Sequence, residues 1–130
     1  MKIYIAARYK KRAELLQLSR KIAMHGHIIT ARWLEGNHEH EEDVVCAKHD
    51  FEDVGNSDVV ISFTEEPRTS TRGGRHVELG LALAWNKTCI IIGPREHVFH
   101  SLPGILHLRE DQLITALNQL DQLKKAKAAA

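Results

Sequence analysis

Two runs of almost unbroken apolar residues, Asp58–Phe63 (DVVISF) and Thr88–Gly93 (TCIIIG), restrict the folds open to this chain more than any other feature. A strand with one wet face alternates polar and apolar residues, whereas a strand that does not alternate must be covered on both faces, as in a parallel sheet clothed by helices. The flanking segments supply the cover. Lys2–Ala7 (KIYIAA) reads as a first strand, and YKKRAELLQLSRKIAMHG after it repeats Ala13, Leu16, Ile22 and Ala23 at helical spacing until Gly26 stops it. His27–Trp33 (HIITARW) reads as a second strand. HEEDVVCAKHDFEDVGNSD reads as a second helix with apolar Val45, Phe51 and Val54 and a Gly-Asn-Ser exit. A third helix runs from about Gly74 to Trp85, ILHL is a short last strand, and REDQLITALNQLDQLKK closes the chain as an amphipathic helix.

Parallel neighbours need a crossover, and the crossover is right-handed, so strands alternating with helices imply a single α/β domain with helices on both faces. Five strands in this length predict a flavodoxin-like (Rossmann-like) three-layer sandwich with a parallel sheet in the order 2-1-3-4-5, spanning residues 1–124, with residues 125–130 a frayed tail. Ligands of such sheets sit beyond the carboxyl ends of the strands where the winding reverses, here between the first and third. Three segments meet there: AARYK after strand one, TEEPRTSTRGGR after strand three, and the front of the helix that carries Glu78.

The bulk composition narrows the partners. At 130 residues, 43% hydrophobic and 27% charged, the chain is one ordinary globular domain with a real core. A formal net charge of +1 provides no global field for nucleic acid or an anionic membrane, so the expected partner is a small molecule. Cys46 and Cys89 form no CxxC pair and read as small buried apolar residues, which fits a reducing cytoplasm. The apolar run in MKIYIAARYKKR is too short for a signal peptide, and no stretch is apolar for long enough to span a membrane. Asn37–Asp43 (NHEHEED), followed by Cys46 and His49, contains ligand-type residues, but the spacing matches no zinc finger or HExxH pattern; an acidic helix start accounts for it, and no metal or cofactor is expected.

The stretch RGGRHVELGLALAW carries the candidate chemistry. Gly73 and Gly74 open a helix whose free N–H groups can cradle an anion, flanked by Arg72 and Arg75, whose guanidinium groups suit phosphate oxygens. A solvated polar loop accounts for the same residues equally well. GxxxxGK[ST] and GxGxxG are both absent. Glu78 stands about one turn into the helix, where the helix dipole and the arginines are expected to keep it ionised and fit for nucleophilic attack. The alternative, an exposed helix glutamate, is weakened by the apolar VELGLALAW around it. Trp33 can stack on a base, or serve the core or a subunit contact.

KIYIAA, HDFEDVGNSDVVISF and GGRHVELGLALAWNKTCIII, in that order over roughly residues 2 to 95, resemble the nucleoside 2-deoxyribosyltransferase superfamily, including its 2'-deoxynucleoside 5'-monophosphate N-hydrolase branch. The resemblance implies that Glu78 is the nucleophile at C1' of the deoxyribose, that Tyr4 holds its carboxylate, and that Asp50 assists the departing base. Asp58 matches an aspartate opening the third strand and is expected to be structural. Departures bear on the substrate. Arg72 stands six residues before the nucleophile, where the free-nucleoside transferases resemble one another in an Asp and the hydrolase has a Ser. Arg8 stands where the hydrolase branch has a phosphate-binding serine, and Lys10 stands near that branch's arginine; these cations favour a phosphorylated substrate. Ser101 is the candidate for a serine contributed by a neighbouring subunit, and a homodimer or higher oligomer follows from the resemblance. The implied activity is hydrolysis of the N-glycosidic bond of a deoxynucleoside monophosphate. Base transfer, an idle nucleotide-binding module and a metal-dependent hydrolase using the His-rich segment are the competitors.

Overall fold

The computed structural model describes residues 1–36, 40–66 and 73–130. Its five strands are β1 (Lys2–Ala6), β2 (Ile28–Ile29), β3 (Val59–Phe63), β4 (Thr88–Ile92) and β5 (Leu106–Leu108), and its helices are α1 (Arg12–Met24), α2 (Asp43–Gly55), α3 (Gly74–Ala84) and α4 (Leu113–Ala129). The strands form one parallel sheet in the order β2-β1-β3-β4-β5. The expected α/β architecture and strand order are therefore present. The two apolar runs lie at its centre: all of β3 is buried, as are Cys89, Ile90 and Ile91 of β4.

Three boundaries differ from the sequence expectation. The second strand stops after two residues, and Arg32–Glu35 form a 3-10 turn. Two anchors divert the chain there: the buried Trp33 indole N–H donates to the Ile5 carbonyl at 2.7 Å, and Asp53 accepts both the Arg32 backbone N–H and its Nε–H at 2.9 Å. In α1 the buried residues are Leu15, Ser19 and Ile22; of the expected Ala13, Leu16, Ile22 and Ala23, Ile22 is buried, Leu16 packs partly buried on the core, and Ala13 and Ala23 are exposed. The Ser19 hydroxyl donates to the Leu16 carbonyl at 2.7 Å, which satisfies it in the core. Finally, helix α4 continues beyond residue 124 to Ala129, as good helix formers such as Ala and Lys allow.

Asp58 is the structural residue that was expected. It accepts the Lys2 N–H at 2.8 Å and pairs with Lys124 at 2.8 Å, fixing α4 against the amino-terminal edge of the sheet.

At the opposite edge β3 and β4 leave the sheet side by side. The Thr64 N–H donates to Ile92 O at 3.0 Å and its hydroxyl to Pro94 O at 2.6 Å. Gly93 permits this crossing: its φ is +118°, and a Cβ there would stand 2.5 Å from Thr64 Oγ1 and 3.1 Å from Thr64 O. Gly93→Ala is expected to destabilise the protein by about 2–4 kcal/mol through combined backbone strain and overlap. Denaturant unfolding checks this; a loss below about 0.5 kcal/mol would mean the two loops part easily.

Candidate active site

α3 packs against β1, β3 and β4, and this contact brings Glu78 over the sheet to Tyr4. Tyr4 is fully buried on β1, and its hydroxyl donates to Glu78 Oε2. Burial, then the negative charges of Glu78 and Asp50, push the phenol well above its ordinary pKa, so Tyr4 stays protonated and remains a donor. Asp50, from α2, is close enough to act electrostatically on both Tyr4 and Glu78. Residues from β1, α2 and α3, 46 and 28 positions apart in sequence, thus meet in one place.

The ionisation of Glu78 reverses the sequence expectation. Its carboxyl is raised to about 8: burial is the main cause, Asp50 and Asp53 add repulsion, and the Tyr4 hydrogen bond pulls the other way. No cation among the described residues offsets this. Arg72 lies outside the described residues, and Arg75 is buried, its Nη2 donating to Glu96 Oε2 at 2.6 Å. Arg75 thus serves a buried ion pair that ties α3 to the loop after β4, not the flank of an open anion cradle. Gly73 does stand at the helix start as its N-cap, in the left-handed region at φ +79°, and Gly74 is the exposed first residue of the helix.

The segment after β1 carries Arg8, Tyr9, Lys10 and Lys11. Glu65, just past β3, pairs with Lys11 at 3.5 Å and with Arg8 at 4.0 Å, while Lys10 is exposed. Of the roles open to Trp33, base stacking, core or subunit contact, it takes the core one. It is 4% exposed and held by Ile5, so its ring belongs to the core and has no face for a base; the more exposed Tyr9 lies against it with ring centroids 6.2 Å apart. Ser101 is the exposed last residue of a 3-10 turn, Val98–Ser101, and its Oγ accepts from Arg95 Nη1 at 3.2 Å. Of the expected cysteines, Cys89 is buried and Cys46 is half-buried.

Several residues that shape the site carry no sequence signal. Asp53 reads as an ordinary helix acid, yet it is buried and holds Arg32. Glu96 reads as loop, yet it gathers Arg75, His76 at 3.3 Å and the Glu65 backbone N–H. His76, His97 and His100 bring nitrogens within 4.8 Å of one another, a grouping hidden by its separation along the chain. His97 Nε2 and His76 Nδ1 share a proton at 3.1 Å, and His100 Nδ1 accepts the Glu96 N–H at 3.0 Å, while the buried His97 Nδ1 and His100 Nε2 have no hydrogen-bond partner among the described residues. Burial, with His97 and His76 nearby, lowers His100 to about 4, so it is a neutral imidazole. Part of the other His-rich segment, residues 37–39, lies outside the described residues.

No family model matches the chain, and no curated protein does. Among solved structures it is similar to the CMP N-glycosidase BcmB of Clostridium botulinum, at 21% identity and a TM-score of 0.63, over 92% of this chain and 99% of that one. At this identity the likeness establishes the shared fold. No described helix is long and apolar enough to cross a membrane.

Proposed function

We propose that this protein hydrolyses the N-glycosidic bond of a 2'-deoxynucleoside 5'-monophosphate, releasing free base and deoxyribose 5-phosphate. The observation that carries the reading is the Tyr4–Glu78 hydrogen bond with Asp50 in electrostatic reach, in a fold shared with a protein described as a nucleotide N-glycosidase. Departure of a base leaves oxocarbenium-like charge on the sugar, so a carboxylate at C1' is bound more tightly in the transition state than in the ground state. Glu78 forms an ester with C1' as the C–N bond pair leaves with the base, which takes a proton from a water hydrogen-bonded to Asp50. The hydroxide left behind attacks C1', giving deoxyribose 5-phosphate and freeing the Glu78 carboxylate. Tyr4 holds the carboxylate oxygen that does not attack.

The 5'-phosphate is assigned to the cations after β1 (Arg8 and Lys10, with Lys11 beside them), to Arg72, and to the N–H groups at Gly73 and Gly74, where the start of α3 favours negative charge. Ser101 would be supplied by a second copy of the chain. Exposed Val77, Val98, Phe99 and Leu102 surround an apolar groove of about 610 Å³, a surface that supports homodimerisation. The two free cysteines are consistent with a reducing cytoplasm. Base transfer is the runner-up, differing only in whether a second base or water reaches C1'; a nucleotide-binding module without turnover is the third reading.

The test is release of free base from deoxynucleosides and their 5'-monophosphates, run with a second, labelled base present. Turnover of monophosphates with no labelled product is the expected result. Labelled nucleotide would make the protein a transferase, turnover of bare nucleosides alone would remove the phosphate assignment, and binding without release would leave the module reading.

A further inference from the structure

The position assigned to the phosphate already contains an anion supplied by the chain itself. Glu65 follows β3, Arg8 and Lys11 follow β1, and these two strands are neighbours at the point where the winding of the sheet reverses. Glu65 Oε1 lies 3.5 Å from Lys11 Nζ and 4.0 Å from Arg8 Nη1, and the three side chains are only 18%, 27% and 21% exposed. A well-made charge-assisted hydrogen bond is about 2.7–2.9 Å long. These contacts are longer, so the carboxylate neutralises the cations without engaging them fully.

The main chain beneath Glu65 is fixed, while its buried Oε1 has no hydrogen-bond partner among the described residues. The Glu65 N–H donates to Glu96, which is itself gripped by buried Arg75, and the preceding Thr64 is held to β4 and the loop after it through Ile92 and Pro94. Movement is therefore confined to the rotors of the Glu65 side chain.

Building on the phosphate reading above, we propose that Glu65 is an internal stand-in for the substrate phosphate, resting on Arg8 and Lys11 in the empty enzyme and displaced when a phosphorylated ligand binds. A phosphomonoester carries about −1.5 to −2 charges and three acceptor oxygens, so it outcompetes a single carboxylate held at long range. A neutral nucleoside has nothing with which to displace Glu65. Phosphate that enters must also move Glu65 away, since two anions cannot share the cation pair without repulsion. Glu65 thereby sets how strongly the site prefers monophosphates, and it lowers the affinity for phosphate below what the cations alone would give.

Calorimetric binding of a deoxynucleoside 5'-monophosphate, the matching nucleoside and inorganic phosphate to wild type, Glu65→Gln, Lys11→Met and the double variant tests this. Melting temperatures establish that each variant is folded. Glu65→Gln is expected to tighten monophosphate and inorganic phosphate by about tenfold, roughly 1.4 kcal/mol, with nucleoside affinity unchanged. Lys11→Met should weaken both phosphate ligands and remove most of the gain from Glu65→Gln in the double variant. If wild type prefers the monophosphate but Glu65→Gln weakens it or leaves it unchanged, Glu65 orients the cations or is idle, and the inference fails while the phosphate reading stands. Equal wild-type affinity for nucleoside and monophosphate would overturn both.

Discussion

Glu78→Gln is expected to abolish base release and at the same time make the protein more stable. The amide keeps the size of the side chain and an acceptor for the Tyr4 hydroxyl, but it can neither form the ester at C1' nor oppose the positive charge on the sugar. A loss of at least about 10³-fold in kcat/KM is expected for removing the group on which the other site residues act. The gain in stability follows from burial. Glu78 is raised from 4.5 to about 8, so its ionised form is disfavoured in the folded state relative to the unfolded one. Below pH 4.5 both states are protonated and there is no penalty. Between 4.5 and 8 the unfolded chain ionises while the folded one resists, so stability falls as pH rises, and above 8 the penalty is constant. With discounting for solvent, the variant should be about 1–3 kcal/mol more stable at pH 7, and the advantage should shrink towards pH 4. Paired denaturant melts at pH 4 and pH 7, beside the base-release assay, check both halves. A variant that is inactive yet no more stable at pH 7 would mean that Glu78 is already ionised in the empty site. Retained activity would remove Glu78 from the chemistry.

That divergence between activity and stability explains which parts of the molecule were legible beforehand. The sheet could be read because DVVISF and TCIIIG carry their burial in composition, and Gly26 marks the end of a helix locally. Motif context likewise places Tyr4, Asp50 and Glu78 in elements that converge. Side-chain pairings across the fold leave no such trace. Trp33 looks the same in sequence whether it faces a ligand or donates to Ile5, and only the turn formed with Arg32 and Asp53 decides. Arg75 beside two glycines suggests a phosphate ligand, but Glu96, 21 residues further on, claims it. The expected ionisation of Glu78 failed for the same reason. Helix position is a local property, whereas desolvation depends on everything packed around the carboxyl, and here desolvation wins.

The same desolvation sets the pH dependence of the reaction. Since the empty enzyme must ionise Glu78 before attack, log kcat/KM is expected to rise with unit slope and level off near pH 8. About 1% of the sites are ionised two units below that value, so the rate at pH 6 should be roughly 100-fold under the plateau. The phosphate of the substrate titrates too, with a second pKa of about 6, but that step lies two units lower and is resolvable as a separate limb. Tyr4 provides the internal control. Its hydrogen bond is the one influence among the described residues that lowers the Glu78 pKa, so Tyr4→Phe should move the rising limb to higher pH as well as reduce the plateau. A residue that merely filled space beneath the helix would change the plateau without moving the limb. A wild-type profile that is flat from pH 6 to 9 would place an ionised Glu78 in the free enzyme, and the attraction that keeps it charged would then have to come from the cations of the phosphate site.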